Sequence, residues 1–252
     1  MSHLLPLALI RALNALNADF YARIAPEFDA TRSQAWQGWQ TILSHLPAPE
    51  ALARPLRVLD VGCGNGRFGV FLAQAGYALD YTGLDNSAAL LAFADADLAA
   101  LSSASRYQLA SLDIVEALLA PAPLFETARY DVVGMFGVMH HIPDSTLRLR
   151  LMRELSSGLA NAGILAWAAW RFADFAKYQA RRVALPPELS VYQDQLEGGD
   201  AVLDWRRGAH ALRYCHHVDD AEHQALDAAT GLALLAHYDA DTYNRYSLLR
   251  RA

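Results

Sequence analysis

The chain has few of the residues that stabilise secreted proteins or attract nucleic acid. It contains only two cysteines, Cys63 and Cys215, and a single lysine, Lys177. Two cysteines make no disulfide framework, so a reducing cytoplasm is the simplest compartment. The 27 acidic residues outnumber the 21 basic ones, and the formal net charge is -6. This balance excludes a whole-chain electric field that draws in nucleic acid.

Long hydrophobic runs are also missing. The apolar run at residues 4–10 lacks a basic lead-in and is too short to cross a bilayer, so we expect neither a secretion signal nor a membrane anchor. There is no internal repeat and no low-complexity tract. Hydrophobic residues nevertheless make up 54% of the 252 residues. This length and composition allow one large α/β domain with elaborations.

A glycine-rich turn organises the chain. Val58, Leu59 and Val61 are apolar, as expected of a buried strand, and helical periodicity resumes at residue 68. Strand, glycine turn and helix open a nucleotide-binding unit in which backbone N–H groups meet the ligand. Asp60 precedes the turn and suits a cationic ligand rather than a phosphate; the alternative is ordinary turn geometry. The turn residues predicted to bind the ligand are Gly62, Cys63, Gly64 and Gly66.

Strands and helices alternate after this turn and predict an α/β fold with helices on both faces of the sheet. The second strand, residues 81–85, ends in Asp85, whose carboxylate can accept hydrogen bonds from both hydroxyls of a ribose. The alternative for Asp85 is a solvent-facing position at a strand end. Asn86 is predicted to assist at the rim of the nucleoside. Further strands are predicted at residues 107–112, 130–136, 164–170 and 212–216, with a closing hairpin at 232–238 and 243–250.

Two segments fall outside this alternation. Residues 1–50 are predicted to form an N-terminal helical cap, with helices at 4–18, 19–28 and 36–46; in the first, Leu9 and Leu13 share one side and Asn14 and Asn17 another. Residues 51–252 are predicted to form the main domain. Within it, residues from about 171 to 211 are rich in arginine, proline and glycine, and we expect an insertion over the mouth of the site.

The pattern from Asp60 to Gly66, D-x-G-x-G-x-G, resembles motif I of the class I S-adenosylmethionine methyltransferases. The resemblance implies a Rossmann-like, seven-stranded methyltransferase sheet of order 3-2-1-4-5-7-6, S-adenosylmethionine as cofactor and S-adenosylhomocysteine as product. It also implies that Asp60 lies near the methionine ammonium. The family pattern adds residues at the ends of the third and fourth strands. Ser111, Leu112 and Asp113 are expected at the adenine, although Asp113 is equally a helix N-cap; Phe136 and Gly137 are expected to offer carbonyls to the ammonium.

Several short motifs resemble one subgroup, the tRNA wobble-uridine carboxymethyl methyltransferases. They are Phe20-Tyr21, Thr31-Arg32, Val138-Met139-His140-His141 and Leu212-Arg213-Tyr214-Cys215-His216. The resemblance implies methylation of a carboxylate on a modified wobble uridine in tRNA. It also implies a small zinc-binding activator, which relatives in eukaryotes use. The acidic composition and the Asn161-Ala162-Gly163 turn depart from the subgroup and favour a small-molecule acceptor instead. A non-catalytic protein with the same fold is a third alternative.

A carboxylate acceptor is already ionised, so its methylation needs an anchor more than a general base. Arg32 and Arg171 are the predicted catalytic anchors, since a guanidinium holds a carboxylate by two hydrogen bonds. His141 is a candidate general base, or else a brace for its loop. No metal site is predicted, because the Cys215-His216-His217 run lacks the paired spacing of zinc ligands. Four further arginines are candidates for tRNA phosphates: Arg181, Arg182, Arg206 and Arg207.

Overall fold

The computed structural model describes residues 5–30, 34–101, 103–206 and 210–252, and its centre is a sheet of seven strands. In chain order the described strands are β1 (Leu56–Val61), β2 (Leu79–Asp85), β3 (Arg106–Ser111), β4 (Tyr130–Phe136), β5 (Leu159–Trp170), β6 (Arg182–Val183), β7 (Asp200–Trp205), β8 (Ala211–His216), β9 (Ala233–Ala240) and β10 (Asn244–Arg250). The main sheet has the order β3-β2-β1-β4-β5-β10-β9, in which only β10 runs antiparallel to its neighbours. The predicted fold class and strand order are confirmed.

Helices cover both faces of this sheet. They are α1 (Leu7–Ala30), α2 (Trp39–Leu43), α3 (Arg67–Gln74), α4 (Ala88–Leu98), α5 (Ile114–Leu119), α6 (Ser145–Ser157), α7 (Ala176–Gln179) and α8 (Asp220–Ala229). Successive residues of a strand point to opposite faces. Accordingly Val58 of β1 packs in the core with α3 and α4, whereas Leu59 packs in the core with α1, α5, α6 and α8. Among the described helices, none combines the length and apolar character needed to cross a membrane.

The N-terminal region differs from the prediction of separate helices at 4–18 and 19–28. Both segments belong to the single helix α1, which continues through Pro26. Asp19, expected as an N-cap, lies in the middle of this helix on its exposed side and pairs with Arg23 one turn later. The apolar stripe of Leu9 and Leu13 continues across that point through Phe20 and Ile24, and this continuity keeps the helix unbroken.

The region predicted as an insertion contributes a second, antiparallel sheet of order β6-β7-β8. The strand expected at 212–216 is therefore β8 of this small sheet and not a member of the main one. Its neighbour is α1, because the Tyr214 amide donates a hydrogen bond to Oδ1 of Asn17 at 2.9 Å. The polarity of Asn17 indicated that it would lie with Asn14 on a solvent-facing side of α1. In the structure Asn17 is buried instead. The contact brings the small sheet and α1 together over one end of the main sheet.

A buried ionic network joins the small sheet to the helices below it. Arg148 of α6 has a side chain only 1% exposed, and its guanidinium contacts carboxylate oxygens of Glu197 at 2.8 Å and Glu222 at 2.7 Å. His216 of β8 lies between Asp200 and Glu222, with each ring nitrogen 2.7 Å from a carboxylate. Burial lowers the pKa of His216, but these two carboxylates outweigh it and the net pKa is raised. The network therefore holds an imidazolium and a guanidinium among three acids.

Replacement of Arg148 tests how much this network stabilises the fold. Arg148→Met leaves Glu197 and Glu222 without their buried partner, and we expect the free energy of unfolding to fall by about 3 kcal/mol. Arg153→Met, an exposed position on the same helix, is the control and is expected to change it by less than about 0.5 kcal/mol. Urea unfolding at pH 7 measures both. Equal losses in the two variants contradict a stabilising network.

Candidate active site

A cavity of about 470 Å³ opens at the carboxyl ends of the central parallel strands. Residues that follow β1, β2, β3 and β4 form one half of its wall. Most of the residues predicted to bind a cofactor line this half: Asp60, Gly62, Cys63, Gly64, Asp85, Asn86, Leu112, Asp113, Phe136 and Gly137. Gly66 and Ser111 do not belong to the lining; Gly66 instead occupies the N-cap position of α3. The sheet thus brings together side chains that lie up to 77 residues apart.

The glycines of the turn have different surroundings. Gly62 and Gly64 have φ of +70° and +54°, in the left-handed region that favours glycine. A Cβ added to Gly62 would lie 2.1 Å from Cγ2 of Val138, so glycine is required there for close packing. A Cβ added to Gly64 would have no atom of the described residues within 4 Å. The backbone at Gly64 therefore faces open cavity, as expected of a surface that a ligand contacts.

Asp60 places a buried carboxyl group at the wall of this cavity. Its side chain accepts a hydrogen bond from the Tyr81 hydroxyl at 2.7 Å. Burial raises the pKa of Asp60 to about 7, the nearby Asp85 raises it further, and the Tyr81 hydrogen bond and Arg67 oppose the rise. A positively charged ligand favours the ionised carboxylate. The site is therefore suited to a cation near the end of β1.

Asp85 holds two turns together at the end of β2. One carboxylate oxygen accepts the Gly64 amide and the other accepts the Ser87 amide, both at 2.9 Å. Burial raises the pKa of Asp85, and these backbone amides oppose the rise. Each carboxylate oxygen has a second lone pair and can accept another hydrogen bond. Asp85 can thus fix the glycine turn and still hold a ligand with two hydroxyls.

Asp113 serves as the N-cap of α5, the alternative to a purely ligand-binding role. One oxygen accepts the Glu116 amide at 3.0 Å and the other accepts the Asn14 side-chain amide at 2.8 Å. Arg11, one turn before Asn14, forms an ion pair with Glu116 at 2.9 Å. These contacts bring α1 over the nucleoside end of the cavity, a neighbour that sequence reasoning did not assign to this end.

The other half of the wall comes from α1, the loop after β4, the end of β5, α7, the small sheet and the turn between β9 and β10. It contains His141, the predicted candidate base. It also contains residues without a predicted catalytic role: Tyr21, His140, Trp170, Lys177, Tyr178, Arg181, Trp205, Arg213 and Tyr243. This half is rich in aromatic rings and cationic side chains. The parallel-strand pattern gave no signal for it, because most of these residues lie outside the alternating strands and helices.

His141 is hydrogen-bonded through both ring nitrogens. Nδ1 lies 3.1 Å from the Tyr214 carbonyl, which can only accept, so Nδ1 carries the proton. Nε2 therefore accepts the hydroxyl of Tyr21 at 2.9 Å. Burial and the positive charge of Arg213 lower the pKa of His141 to about 3. The imidazole is neutral at physiological pH, and its orientation is set by two elements outside the main sheet.

Arg213 carries a positive charge among aromatic rings. The centre of its guanidinium lies 4.4 Å from the ring of Trp170, 5.1 Å from Phe20 and 5.9 Å from Trp205. No carboxylate of the described residues forms an ion pair with it, whereas most other arginines of those segments do have an acidic partner. The family motif pointed to residues 212–216, but the direction of the Arg213 side chain depends on the pairing of β8.

Of the two arginines predicted to anchor the acceptor, only Arg171 belongs to the part of the chain that the structure describes. Arg171 lies outside the cavity lining and forms ion pairs with Asp174 at 2.6 Å and Asp239 at 2.7 Å. Arg32 falls outside the described residues, as does Arg207. Arg181 lines the cavity, whereas Arg182 is exposed and does not belong to the lining. Arg206 pairs with Asp204.

Three side-chain clusters of the described residues have donor sets that a metal could use, and hydrogen bonds engage some of the atoms in each. The set His223, Asp227 and His237 surrounds the Ser247 hydroxyl, which lies within 3.1 Å of all three. The set Glu197, Asp200 and His216 belongs to the ionic network of Arg148. In the set His140, His141 and Cys215, both nitrogens of His141 are engaged.

The raised pKa of Asp60 predicts a pH dependence of stability. The folded state keeps a proton on Asp60 up to about pH 7, whereas an unfolded aspartate loses it near pH 3.8. This contribution to stability is complete below the unfolded pKa and is lost as the pH rises through 7, by on the order of 4 kcal/mol. Asp60→Asn, which stays neutral, removes the loss. Its stability relative to the wild type, measured by urea unfolding without ligand, therefore increases from pH 4 to pH 8; a constant difference contradicts the assignment.

Comparison with known proteins gives a concordant result. Residues 59–165 match a family model described as a methyltransferase domain. Over 198 residues the chain is 28% identical to a protein of Encephalitozoon cuniculi named as a methyltransferase, covering 78% of this chain and 77% of that protein.

Solved structures share the fold. An S-adenosylmethionine-dependent methyltransferase from Methanosarcina mazei superposes with a TM-score of 0.62 at 16% identity, over 84% of this chain and 96% of that one. An amino pentose methyltransferase from Micromonospora echinaspora, solved with bound S-adenosylmethionine, gives 0.57 at 17% identity, over 91% and 97%. Residues 59–165 therefore resemble a methyltransferase domain, and the main sheet has the Rossmann-like fold of these solved structures.

Proposed function

We propose that this protein is an S-adenosylmethionine-dependent methyltransferase whose acceptor is a carboxylate. The observation that carries the proposal is Arg213, a cation without an acidic partner among the described residues, in the half of the cavity away from the glycine turn. A guanidinium binds a carboxylate through two parallel hydrogen bonds, and surrounding rings lower its access to water. The position therefore favours an anionic acceptor.

The first half of the cavity fits the cofactor. S-adenosylmethionine is the cofactor, and when bound it supplies a methyl group on a positively charged sulfur. Asp60 would face the cationic methionine end of the cofactor, and Asp85 would face its ribose hydroxyls. Gly64 has no side chain, so the backbone of the turn could approach the cofactor closely. The carboxylate of Asp60 ionises more readily beside a cation, and the pKa near 7 makes this response large at physiological pH. Asn86, Leu112, Asp113, Phe136 and Gly137 complete this half of the proposed binding site.

The second half of the cavity positions the acceptor. Arg213 holds the carboxylate, and because that group is already ionised no residue has to remove a proton. His141 has a pKa of about 3, and its Nε2 accepts a hydrogen bond from the Tyr21 hydroxyl. We therefore assign it the role of positioning Tyr21 rather than that of a base. Trp170 and Trp205 line the wall around Arg213 and exclude water from it. In this proposal Arg213 takes the anchoring role expected of Arg171, whose guanidinium is occupied by two acids.

The acceptor that we propose is the carboxylate of a modified wobble uridine in tRNA. Lys177 and Arg181 line the cavity, and Arg182 is the exposed residue next to Arg181, so all three are offered to phosphates. Tyr178 and Tyr243 offer rings for a base. The alternative is a small carboxylic acid, favoured by the net charge of -6. A small zinc-binding activator remains a prediction, as does a cytoplasmic location, which the free thiols of Cys63 and Cys215 favour.

Substitution of Arg213 tests the carboxylate proposal. With tritiated S-adenosylmethionine, we expect methyl transfer into bulk tRNA, and mild alkali should release the label as methanol because the product is an ester. Arg213→Gln removes a charge-assisted pair and should lower kcat/KM for tRNA by about tenfold to a hundredfold. Arg213→Lys keeps the positive charge but loses the planar guanidinium that donates two parallel hydrogen bonds. Its kcat/KM for tRNA should therefore lie between the values of the wild type and of Arg213→Gln.

The control for these variants is the affinity for S-adenosylhomocysteine, which should stay within about twofold of the wild type by calorimetry because Arg213 lies in the other half of the cavity. Alkali-stable label, or full activity of Arg213→Gln, overturns the carboxylate assignment. Label that appears only in a metabolite extract, and is alkali-labile, retains the carboxylate and replaces tRNA by a small acid.

The salt dependence of tRNA binding distinguishes the two acceptors. Arg182→Glu reverses an exposed charge next in the chain to Arg181 of the cavity wall, so it should weaken tRNA binding and lower the slope of log K against log salt by about one. Arg153→Glu makes the same charge change on α6 and is the control, with the slope expected to match the wild type. Filter binding at several salt concentrations gives both slopes. Absence of salt-dependent binding to tRNA favours the small acid.

A further inference from the structure

Asn17 of α1 has a hydrogen-bond donor that the fold does not use. Its side chain is only 5% exposed and lies in the wall of the cavity. The carbonyl oxygen of the side chain accepts the Tyr214 amide at 2.9 Å, whereas Nδ2 has no partner among the described residues. A buried amide N–H without a partner is rare in folded proteins. Such a group in a cavity wall points to a ligand that completes it.

The contact with Tyr214 fixes the chemistry that Asn17 offers. Only the oxygen of the amide can accept the backbone N–H of β8, so a flip of the side chain would lose that hydrogen bond and place two donors together. Nδ2 therefore stays directed away from β8. Nδ2 can only donate, so the group that completes it must supply an oxygen or another acceptor atom.

Arg213 belongs to the same seam between α1 and β8. It precedes Tyr214 in β8, and its guanidinium lies over the ring of Phe20, which is three residues after Asn17 on α1. Both Asn17 and Arg213 line the same cavity. Asn14, one turn earlier on α1, differs because its amide donates to Asp113 at 2.8 Å. The unpaired donor and the unpaired cation thus line the same cavity from two adjoining elements, α1 and β8.

We infer that Asn17 and Arg213 form one anion-binding subsite, in which Arg213 supplies the charge and Asn17 the second donor to the carboxylate of the methyl acceptor. The inference rests on the proposed function, since it names how the acceptor is held. Asn17 is a specificity-determining residue in this arrangement. An acceptor with an ammonium or an N–H in the same place would leave both groups unsatisfied, so the subsite selects acids over amines.

The experiment uses acetate as a bare carboxylate probe. The full-length protein is labelled with nitrogen-15, saturated with S-adenosylhomocysteine and titrated with sodium acetate, with sodium chloride matching the ionic strength. Heteronuclear correlation spectra follow the side-chain amide of Asn17 and the Nε–H of Arg213. We expect both signals to shift saturably with one dissociation constant. A shift of the Arg213 signal without one of Asn17, or no shift of either, overturns the inference.

Variants give an independent measurement. Asn17→Leu should weaken acetate binding by about fivefold to tenfold, the equivalent of one hydrogen bond. Asn14→Leu, on the same helix but with its donor already paired, should leave acetate affinity unchanged. If Asn17→Leu unfolds, the wild-type titration still decides. When tRNA is the acceptor, Asn17→Leu should raise its KM more than it lowers kcat; a merely structural role through Tyr214 and His141 would lower kcat instead.

The two proposals fail in different ways. If acetate shifts the signals of both residues but no alkali-labile methyl group enters tRNA or a metabolite extract, the subsite stands and the proposed reaction falls. If carboxylate methylation is found but acetate does not shift the side-chain amide signal of Asn17, the proposed reaction is retained and the proposed subsite is rejected.

Discussion

The hydrogen bond between the Tyr214 amide and the Asn17 side chain joins the two segments that close the cavity. One segment is the N-terminal helix and the other is a strand of the small sheet, and they are 197 residues apart in the chain. The same strand residue offers its carbonyl to His141, so one backbone unit sets the position of both the helix and the imidazole. The acceptor half of the cavity depends on this seam in the way that the cofactor half depends on the glycine turn.

Burial has opposite consequences in the two halves. At the end of β1 it makes Asp60 retain a proton, so that the carboxylate becomes fully charged only beside a cation. Beside the small sheet burial lowers the pKa of His141 to about 3, with the positive charge of Arg213 as a second cause, so its imidazole stays neutral. The two groups thus separate the cavity into a region that prefers a cation and a region that prefers an anion. The proposed pair of a sulfonium donor and a carboxylate acceptor matches that separation, because their charges would cancel on methyl transfer.

The main sheet could be predicted from the sequence because its signals are local. The fourth strand was predicted at residues 130–136 and has those bounds, and the acids at strand ends line one cavity because parallel strands end at one edge. The acceptor half could not be predicted in this way. The direction of Arg213 depends on which sheet contains its strand, and the burial of Asn17 depends on a partner from the far end of the chain. The helical break expected at Asp19 was wrong because a local capping signal competes with an apolar stripe that extends past it.

The ionic network around Arg148 has a consequence for the evolution of this architecture. It connects α6 and α8, which belong to the sheet layers, with Glu197 and His216 of the inserted region. An inserted region attached by loops alone could be exchanged between homologous enzymes as a cassette. Here an insertion moved into another protein would lack its ionic partners Arg148 and Glu222. The recipient would have to acquire these two helix residues at the same time. For the proposed acceptor site, point substitution along the seam is therefore a simpler route to a new preference than exchange of the whole insertion.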